Sequence, residues 1–372
     1  MSKTAIPNNK FKAFFAFALI FSSITFLVLT IFKDKDNVSE LLNIKIQQEK
    51  TKEEKVEIFD FDGLYHVKNY LSDSERLKNS NSQQIFFIES HLEGHRNLSS
   101  PKQACSIESA ARINPNLDIY LLLMTDQDEV VLDQTPQLEV LLSYPNIRIR
   151  FANITEFTRG TILEEFFKEN KVQKSNFRLA HTSDIMRMLV LNKFGGLYLD
   201  HDVLSLYPVK LIPDKNFACM EKPNQFNNAI IRLDKIEGKK YTDVYLEKVA
   251  NNYNPNSWPA NGPELVTESF KTYCNETTLD MKKTSKCDKI TAWAAEKCFL
   301  YMWYEYQMFY EEKYKDESLR KMATIGGFFI HIWNSAFKFN KKTYTLSRDS
   351  KALYMELAET YCPKAIETTN FL

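Results

Sequence analysis

The spacing of apolar residues changes twice along the chain, near residue 33 and near residue 85. Residues 13–32 are an apolar run without a charge, whereas residues 33–84 are rich in Lys, Glu, Asn and Ser. From residue 85 onward, short apolar runs alternate with segments in which apolar residues recur every three or four positions. The three patterns are typical of a membrane span, a solvated stem and an α/β domain, in that order.

The third pattern predicts alternating strands and helices. The predicted strands cover residues 85–90, 118–124, 146–152 and 196–200, and the predicted helices cover residues 101–112, 161–170 and 182–194. Repeated strand and helix segments of this length indicate an α/β layer with a mainly parallel sheet. Ligands of such sheets bind beyond the carboxyl ends of the strands, which is where we expect the chemistry.

The apolar run at residues 13–32 predicts a membrane anchor. Twenty helical residues span about 30 Å, the thickness of a bilayer core, whereas the apolar region of a cleaved signal peptide is shorter. Lys3, Lys10 and Lys12 precede the run, and the charges just after it cancel. The positive-inside rule therefore leaves residues 1–12 in the cytosol and sends the stem, residues 33–84, and the domain, residues 85–372, to the other side.

Charge and cysteine content narrow the class of protein. Lys plus Arg and Asp plus Glu both number 48, and this balance argues against nucleic-acid binding. The six cysteines form no C-x-x-C pair, so disulfides in an oxidising lumen are the natural interpretation. Cys274 and Cys287 are the nearest plausible partners, although fifteen pairings remain open. Glycosylation sequons at four positions agree with a lumenal domain: Asn37, Asn97, Asn153 and Asn275.

An Asp-x-Asp pair is the strongest chemical signal. Four such pairs occur, at residues 34/36, 60/62, 126/128 and 200/202. The first two lie at the membrane edge and in the stem. Asp126 and Asp128 are an alternative candidate pair because they also follow a strand. We favour Asp200 and Asp202 because they follow a helix, two glycines and a strand in succession. Two carboxylates in this position can hold a divalent cation that neutralises a diphosphate.

The segment SDIMRMLVLNKFGGLYLDHDV, residues 183–203, resembles the D-x-D sugar-binding region of glycosyltransferases. With FIES, CSIESAARINP, NGPELVT, HIWN and YCP elsewhere in the chain, it is similar to the α-1,4-galactosyltransferase and α-1,4-N-acetylglucosaminyltransferase family. The resemblance implies a Golgi membrane protein of type II topology. It also implies a Rossmann-like catalytic domain of the GT-A type within residues 85–372.

The resemblance implies a role for individual residues. Asp200 and Asp202 would hold Mn²⁺ or another divalent cation against the diphosphate of a UDP-sugar, with His331 as third ligand. His331 lies in an apolar run and is as easily interpreted as a core histidine. Asp184 and Arg187, at i and i+3, would bind donor hydroxyls, with Arg187 also facing the phosphate, unless they form only an intrahelical ion pair. The remaining expected substrate-binding residues are Gly196, Tyr198, Trp258, Gly262 and Pro263.

The implied reaction is transfer of galactose or N-acetylgalactosamine from UDP to a glycosphingolipid resembling lactosylceramide, in α-1,4 linkage and with retained configuration. Transfer of N-acetylglucosamine to glycoprotein glycans is the alternative enzyme activity. An inactive membrane-anchored glycan-binding protein is the alternative outside enzymes, and the intact acidic pair argues against it. The aromatic segment at residues 299–314 either stacks on acceptor sugars or belongs to the core, and the core is favoured.

Overall fold

A computed structural model describes residues 64–275, 279, 285–287, 290–334, 336 and 344–369. The expected anchor at residues 13–32 and the charged segment up to residue 63 lie outside these ranges. Within the described ranges, no helix has both the length and the apolar character needed to cross a membrane.

The described strands form one large sheet and two small ones. The strands are β1 (Leu64–His66), β2 (Ile85–Glu89), β3 (His95–Arg96), β4 (Ile119–Thr125), β5 (Val131–Asp133), β6 (Ile147–Asn153), β7 (Gly196–Leu199), β8 (Val203–Ser205), β9 (Phe217–Lys222), β10 (Gln225–Leu233), β11 (Ser285–Cys287), β12 (Ile290–Trp293) and β13 (Phe329–His331). The large sheet has the order β11-β12-β9-β10-β7-β2-β4-β6. The small sheets are β1-β5-β3 and β13-β8.

The large sheet is mixed, and its parallel part is concentrated at one end. Strands β7, β2, β4 and β6 run parallel, as expected from the sequence. Strand β10 is antiparallel to both of its neighbours, β7 and β9. Only Pro223 and Asn224 join β9 to β10, with Asn224 at a φ of 60°, and a connection this short permits only an antiparallel pair. The α/β prediction is therefore confirmed, and the expected parallel pairing holds for part of the sheet.

Helices cover both faces of the sheet. They are α1 (Ser74–Asn79), α2 (Pro101–Ile113), α3 (Pro136–Leu142), α4 (Ile154–Thr158), α5 (Glu164–Lys168), α6 (Arg178–Phe194), α7 (Glu237–Asn252), α8 (Pro263–Cys274), α9 (Lys315–Ile325), α10 (Leu353–Tyr361) and α11 (Pro363–Glu367). Alternate residues of β4 enter different cores: Leu121 packs with α2, α3 and α10, and Leu122 packs with α6, α7 and α8. Burial on both faces explains why β4 is a continuous apolar run.

Two glycines make the turn from α6 into β7. Gly195 ends the helix at a φ of 62°, and Gly196 follows at a φ of 115°. A Cβ on Gly196 would lie 2.6 Å from the carbonyl oxygen of Gln84, so the side-chain-free backbone lets β7 pair closely with its neighbour. This turn therefore fixes the direction of β7 and the position of Asp200 and Asp202, which follow it.

Residues 64–84 belong to the folded domain rather than to the stem. The amide of Phe151 donates to the carbonyl of Lys68 at 3.0 Å, and Arg150 pairs with Asp73 at 2.9 Å. Leu77 of α1 is fully buried. A domain boundary at residue 85 is therefore too late. The error arises because the polar residues of this segment find partners on the sheet that the local sequence does not reveal.

Three disulfides cross-link the domain, and two of them join segments that are distant in sequence. Cys274 pairs with Cys287, which confirms the pairing favoured by their short separation. Cys105 of α2 pairs with Cys362, and Cys219 of β9 pairs with Cys298. The last two connect the sheet region to the carboxyl-terminal third of the chain.

Candidate active site

The acidic pair lies at the carboxyl end of β7. The amide of Asp200 donates to the carbonyl of Ala229 in β10 at 2.9 Å, which continues the sheet by one residue. The chain then turns, with the Val203 amide donating to the Asp200 carbonyl at 3.1 Å, and enters β8. Because the turn is hydrogen-bonded on both sides, the two aspartates are held at the sheet edge where α/β proteins bind ligands.

Strand β13 brings His331 to the acidic pair. His331 is opposite Val203 in the β13-β8 register, and its Nε2 lies 2.8 Å from Oδ1 of Asp202. The backbone amide of Asn334 donates to the other carboxylate oxygen of Asp202 at 2.9 Å. These contacts connect residues about 130 positions apart, so the site depends on the tertiary fold.

Asp200, Asp202 and His331 form a possible metal-binding group. One potential ligand atom from each lies within 4.8 Å of the others, and the Nδ1 of His331 is buried without a hydrogen-bond partner. Two carboxylate oxygens and one imidazole nitrogen are a donor set suited to a divalent ion such as Mn²⁺. The residues present therefore fit the cation expected from the sequence.

Buried charges in this group stabilise one another. Burial would raise the pKa of Asp202, but the facing His331 and the hydrogen bonds to its carboxylate hold that pKa below its ordinary value. Burial would likewise lower the pKa of His331, but the charge of Asp202 outweighs this effect and raises it. Without a bound cation, the two residues are thus arranged as an ion pair.

Arg187 of α6 organises the opposite side of the acidic pair. Its Nη1 lies 3.1 Å from Asp200 and 2.9 Å from the carbonyl of Asn228. Its Nη2 lies 3.1 Å from Asp184 and 2.9 Å from the hydroxyl of Ser183, and its Nε donates to the Ser183 carbonyl at 3.2 Å. Three of these contacts are hydrogen bonds, and the contacts with Asp184 and Asp200 are ion pairs.

The contacts of Arg187 give it a second role beside the expected one. The predicted ion pair with Asp184 exists, and Arg187 pairs with Asp200 as well. Arg187 is therefore a positioning residue that fixes Asp184 and Asp200, and its contact with the donor phosphate stays a prediction. Tyr198 assists it, since its hydroxyl donates to Asp200 at 2.6 Å and its ring lies under the guanidinium at 4.5 Å.

Asp184 is buried and held by neutral as well as charged partners. The side-chain amide of Asn228 donates to its carboxylate at 2.8 Å. Burial raises the pKa of Asp184 more than Arg187 and Asn228 lower it. Gly262 closes this cluster, because a Cβ at that position would lie 2.5 Å from Oδ2 of Asp184 and 2.7 Å from Nδ2 of Asn228. Gly262 is thus a spacer beside the cleft rather than a residue that lines it.

We expect Gly262→Ala to lower turnover by at least about tenfold, since overpacking costs about 1–3 kcal/mol and would displace Asp184. Steady-state kinetics of the purified variant measures this loss. Gly160→Ala is the control for activity, because its φ of 72° strains the local backbone but a Cβ there meets no atom within 4 Å and the position is not in the cleft. Equal activities of the two variants would contradict the spacer role.

A single cleft of about 650 Å³ joins these groups. Of the expected site residues, Asp184, Arg187, Tyr198, Asp200, Asp202, Trp258, Pro263 and His331 line it. Gly196 does not, and its position between β2 and β10 gives it a backbone role instead of the expected substrate contact. Asp126 and Asp128, the competing pair, are exposed outside the cleft and bind Gln173 and Asn153.

The cleft also contains residues that the sequence analysis did not select. They are Ser183, Glu221, Asn227, Asn228, Glu264, Trp303 and Trp333, among others. Asn227 and Asn228 could have been selected from the sequence, since two adjacent polar residues at the start of an apolar strand lie near the edge of the sheet. The sequence did not indicate Trp303 as a cleft residue, because Trp303 lies within an aromatic segment of a kind that is more often buried in the core.

Comparisons with known proteins identify two conserved regions in the chain. A glycosyltransferase sugar-binding region containing a DXD motif matches residues 100–218. An alpha 1,4-glycosyltransferase conserved region matches residues 237–369. The first match includes Asp200 and Asp202 and the second includes His331, so both regions contribute to the same cluster. A DXD region of this type implies a divalent cation and a UDP-sugar.

Curated relatives of the chain are also glycosyltransferases. Lactosylceramide 4-alpha-galactosyltransferase of Mus musculus is 28% identical over 280 residues, which are 75% of this chain and 74% of that protein. Alpha-1,4-N-acetylglucosaminyltransferase of Homo sapiens is 23% identical over 264 residues, which are 70% of this chain and 74% of that protein. The resemblance inferred from the sequence motifs is thereby confirmed.

Among solved structures, a galactosyltransferase in complex with donor and acceptor sugar analogues is similar to the chain at 12% identity. The alignment covers 75% of this chain and 96% of that chain, with a TM-score of 0.37.

Proposed function

We propose that this chain, which is a glycosyltransferase, transfers galactose or N-acetylgalactosamine from a UDP-sugar to a glycosphingolipid. The proposed linkage is α-1,4, with the configuration of the donor retained. The observation that carries the proposal is the convergence of Asp200, Asp202 and His331 at an open cleft. The names of the relatives favour a galactosyl donor and a lactosylceramide-like acceptor.

Asp200, Asp202 and His331 would hold the divalent cation, for which Mn²⁺ is our choice. A cation in this position supplies positive charge to the departing diphosphate. The protein holds the carboxylates ready for it, since Arg187 and Tyr198 orient Asp200 and the Asn334 amide orients Asp202. Preorganised charges of this kind stabilise a transition state without having to rearrange during the reaction.

Asp184 and Asn228 are the proposed partners of the donor sugar. Both line the cleft, and their mutual hydrogen bond fixes their orientation. Retention of configuration does not require a covalent intermediate if the acceptor attacks on the face that the UDP leaves. We propose this front-face route, in which the leaving phosphate receives the proton of the acceptor hydroxyl as the new glycosidic bond forms.

The proposed location is the Golgi membrane, with residues 13–32 as a type II anchor. The basic residues before this segment support the orientation. A domain tethered near the bilayer can reach the head group of a glycolipid, which is one reason to favour a glycosphingolipid acceptor over a glycoprotein glycan.

The test uses the full-length chain purified in detergent. We expect UDP release from UDP-galactose or UDP-N-acetylgalactosamine, its loss on chelation and its recovery on addition of Mn²⁺. Preference for UDP-N-acetylglucosamine would support the alternative transferase activity. Release that is insensitive to chelation, or absent with every UDP-sugar, would contradict the proposed mechanism.

A further inference from the structure

The four tryptophans of the chain divide into two buried and two exposed residues. Trp293 and Trp333 are 0% and 5% exposed, whereas Trp258 and Trp303 are 49% and 42% exposed. Both exposed tryptophans line the cleft that contains the acidic pair. Both exposed indoles of the chain therefore offer flat apolar faces to a ligand of this one cleft.

Trp303 is held near the metal-binding group by its neighbours in the chain. The indole nitrogen of Trp333 donates to the carbonyl of Tyr301 at 2.8 Å, which connects the segment before Trp303 to the segment after His331. The Cys219–Cys298 disulfide attaches the same segment to β9. The indole of Trp303 is therefore carried by an anchored backbone even though its ring is exposed.

Trp258 is held by a different network, centred on the buried His181 of α6. The Nε2 of His181 lies 3.1 Å from the carbonyl of Ser257, and its Nδ1 lies 3.0 Å from the hydroxyl of Tyr253. The side-chain amide of Asn261 donates to the carbonyl of Asn254. Both ends of the loop that carries Trp258 are thus fixed to α6 or to each other.

The charges of the cleft restrict which ligands can bind beside these rings. The described lining contains six acids, Glu89, Asp184, Asp200, Asp202, Glu221 and Glu264, and two permanent cations, Arg187 and Lys222. The lining thus has four more acidic than permanently cationic side chains, and one divalent cation would neutralise only two of these negative charges. A nucleotide diphosphate would add further negative charge. Little positive charge is left for an anionic acceptor.

We propose that Trp258 and Trp303 form an acceptor subsite that stacks on an uncharged pyranose and excludes anionic sugars. The inference rests on the proposed transferase activity and specifies its acceptor. The C–H face of a pyranose packs on indole rings, and its hydroxyls meet the carboxylates and amides around them. Trp303 is the new member of the site, since it lines the cleft, whereas Tyr306, Phe309 and Tyr310 of the same aromatic segment are buried.

The test measures binding and transfer with octyl β-lactoside as probe. We expect Trp303→Ala to raise the acceptor KM by about tenfold or more, with a larger fall in transfer than in acceptor-independent UDP release. Trp303→Phe keeps a ring and should recover part of the loss. Tyr207→Ala is the matched control, because Tyr207 is an aromatic residue of similar exposure outside the cleft lining.

Tryptophan fluorescence separates this inference from the proposed function. Octyl β-lactoside should quench the wild-type emission, and Trp303→Ala should remove most of the quenching even if no UDP-sugar is turned over. An unchanged acceptor KM and unchanged quenching in Trp303→Ala would overturn the subsite while leaving the transferase proposal intact.

Charge exclusion is tested with two modified probes, the 3′-sulfate and the 3′-O-methyl ether of octyl β-lactoside. We expect the sulfate to bind at least about tenfold more weakly than the methyl ether, with the difference shrinking at high salt. Equal affinities for the two probes would overturn the exclusion of anionic sugars, since the methyl ether controls for added bulk.

Discussion

Replacing Asp202 with Asn should lower transferase turnover by at least about 100-fold. The substitution keeps the size of the side chain and leaves an oxygen to accept from the Asn334 amide. It removes the negative charge that faces His331 and one of the three potential metal ligands. The loss should therefore appear in turnover and in the Mn²⁺ concentration needed for half-maximal rate, both measured by UDP release.

Asp126→Asn is the matched control for this variant. Asp126 also belongs to an Asp-x-Asp pair after a strand, but it is exposed outside the cleft and contacts Gln173. We expect wild-type activity. Loss of activity in Asp126→Asn together with full activity in Asp202→Asn would mean that the wrong acidic pair has been assigned to the cation.

Replacing Arg187 with Ala should reduce the free energy of unfolding by about 3–5 kcal/mol and remove most activity. Arg187 is almost completely buried, and its loss leaves the carboxylates of Asp184 and Asp200 without their cation. Arg187→Lys keeps the charge but offers three N–H groups in place of five, so its effect should be intermediate. Denaturant unfolding and UDP release measure the two losses.

Arg178→Ala controls for the removal of a cation from the same helix. Arg178 is exposed and its side chain contacts Gln173. We expect its unfolding midpoint and its turnover to stay near wild type. An Arg187→Ala protein that unfolds at the wild-type denaturant concentration would show that the buried cation does not hold the two carboxylates in place.

Local features explain which parts of the fold were predictable. Strands β2, β4, β6 and β7 and helices α2 and α6 were expected within a few residues of their observed bounds, because each carries a periodic apolar pattern. The helix expected at residues 161–170 is shorter, with only Glu164–Lys168 helical. Few residues of this polar segment are buried, so packing against the rest of the domain does not extend the helix beyond these bounds.

Long-range contacts explain what the sequence analysis missed. Residues 64–84 were interpreted as part of the stem because the residues they contact, such as Arg150, are far along the chain. A mainly parallel sheet was expected from the strand and helix alternation, but this alternation did not reveal which pair would be antiparallel at the short β9-β10 turn. Two of the three disulfides join cysteines 257 and 79 positions apart, where separation gives no guide to pairing.

The sequence by itself determined that Asp200 and Asp202 follow a strand at the ligand-binding edge of an α/β domain, because strand, turn and acidic pair are adjacent in the chain. Only the tertiary structure decided that His331 faces Asp202, that Arg187 pairs with both Asp184 and Asp200, and that Trp303 is exposed at the cleft. Each of these depends on distances between atoms that the backbone brings together from different elements. Local periodicity specifies elements, whereas the packing of those elements specifies the site.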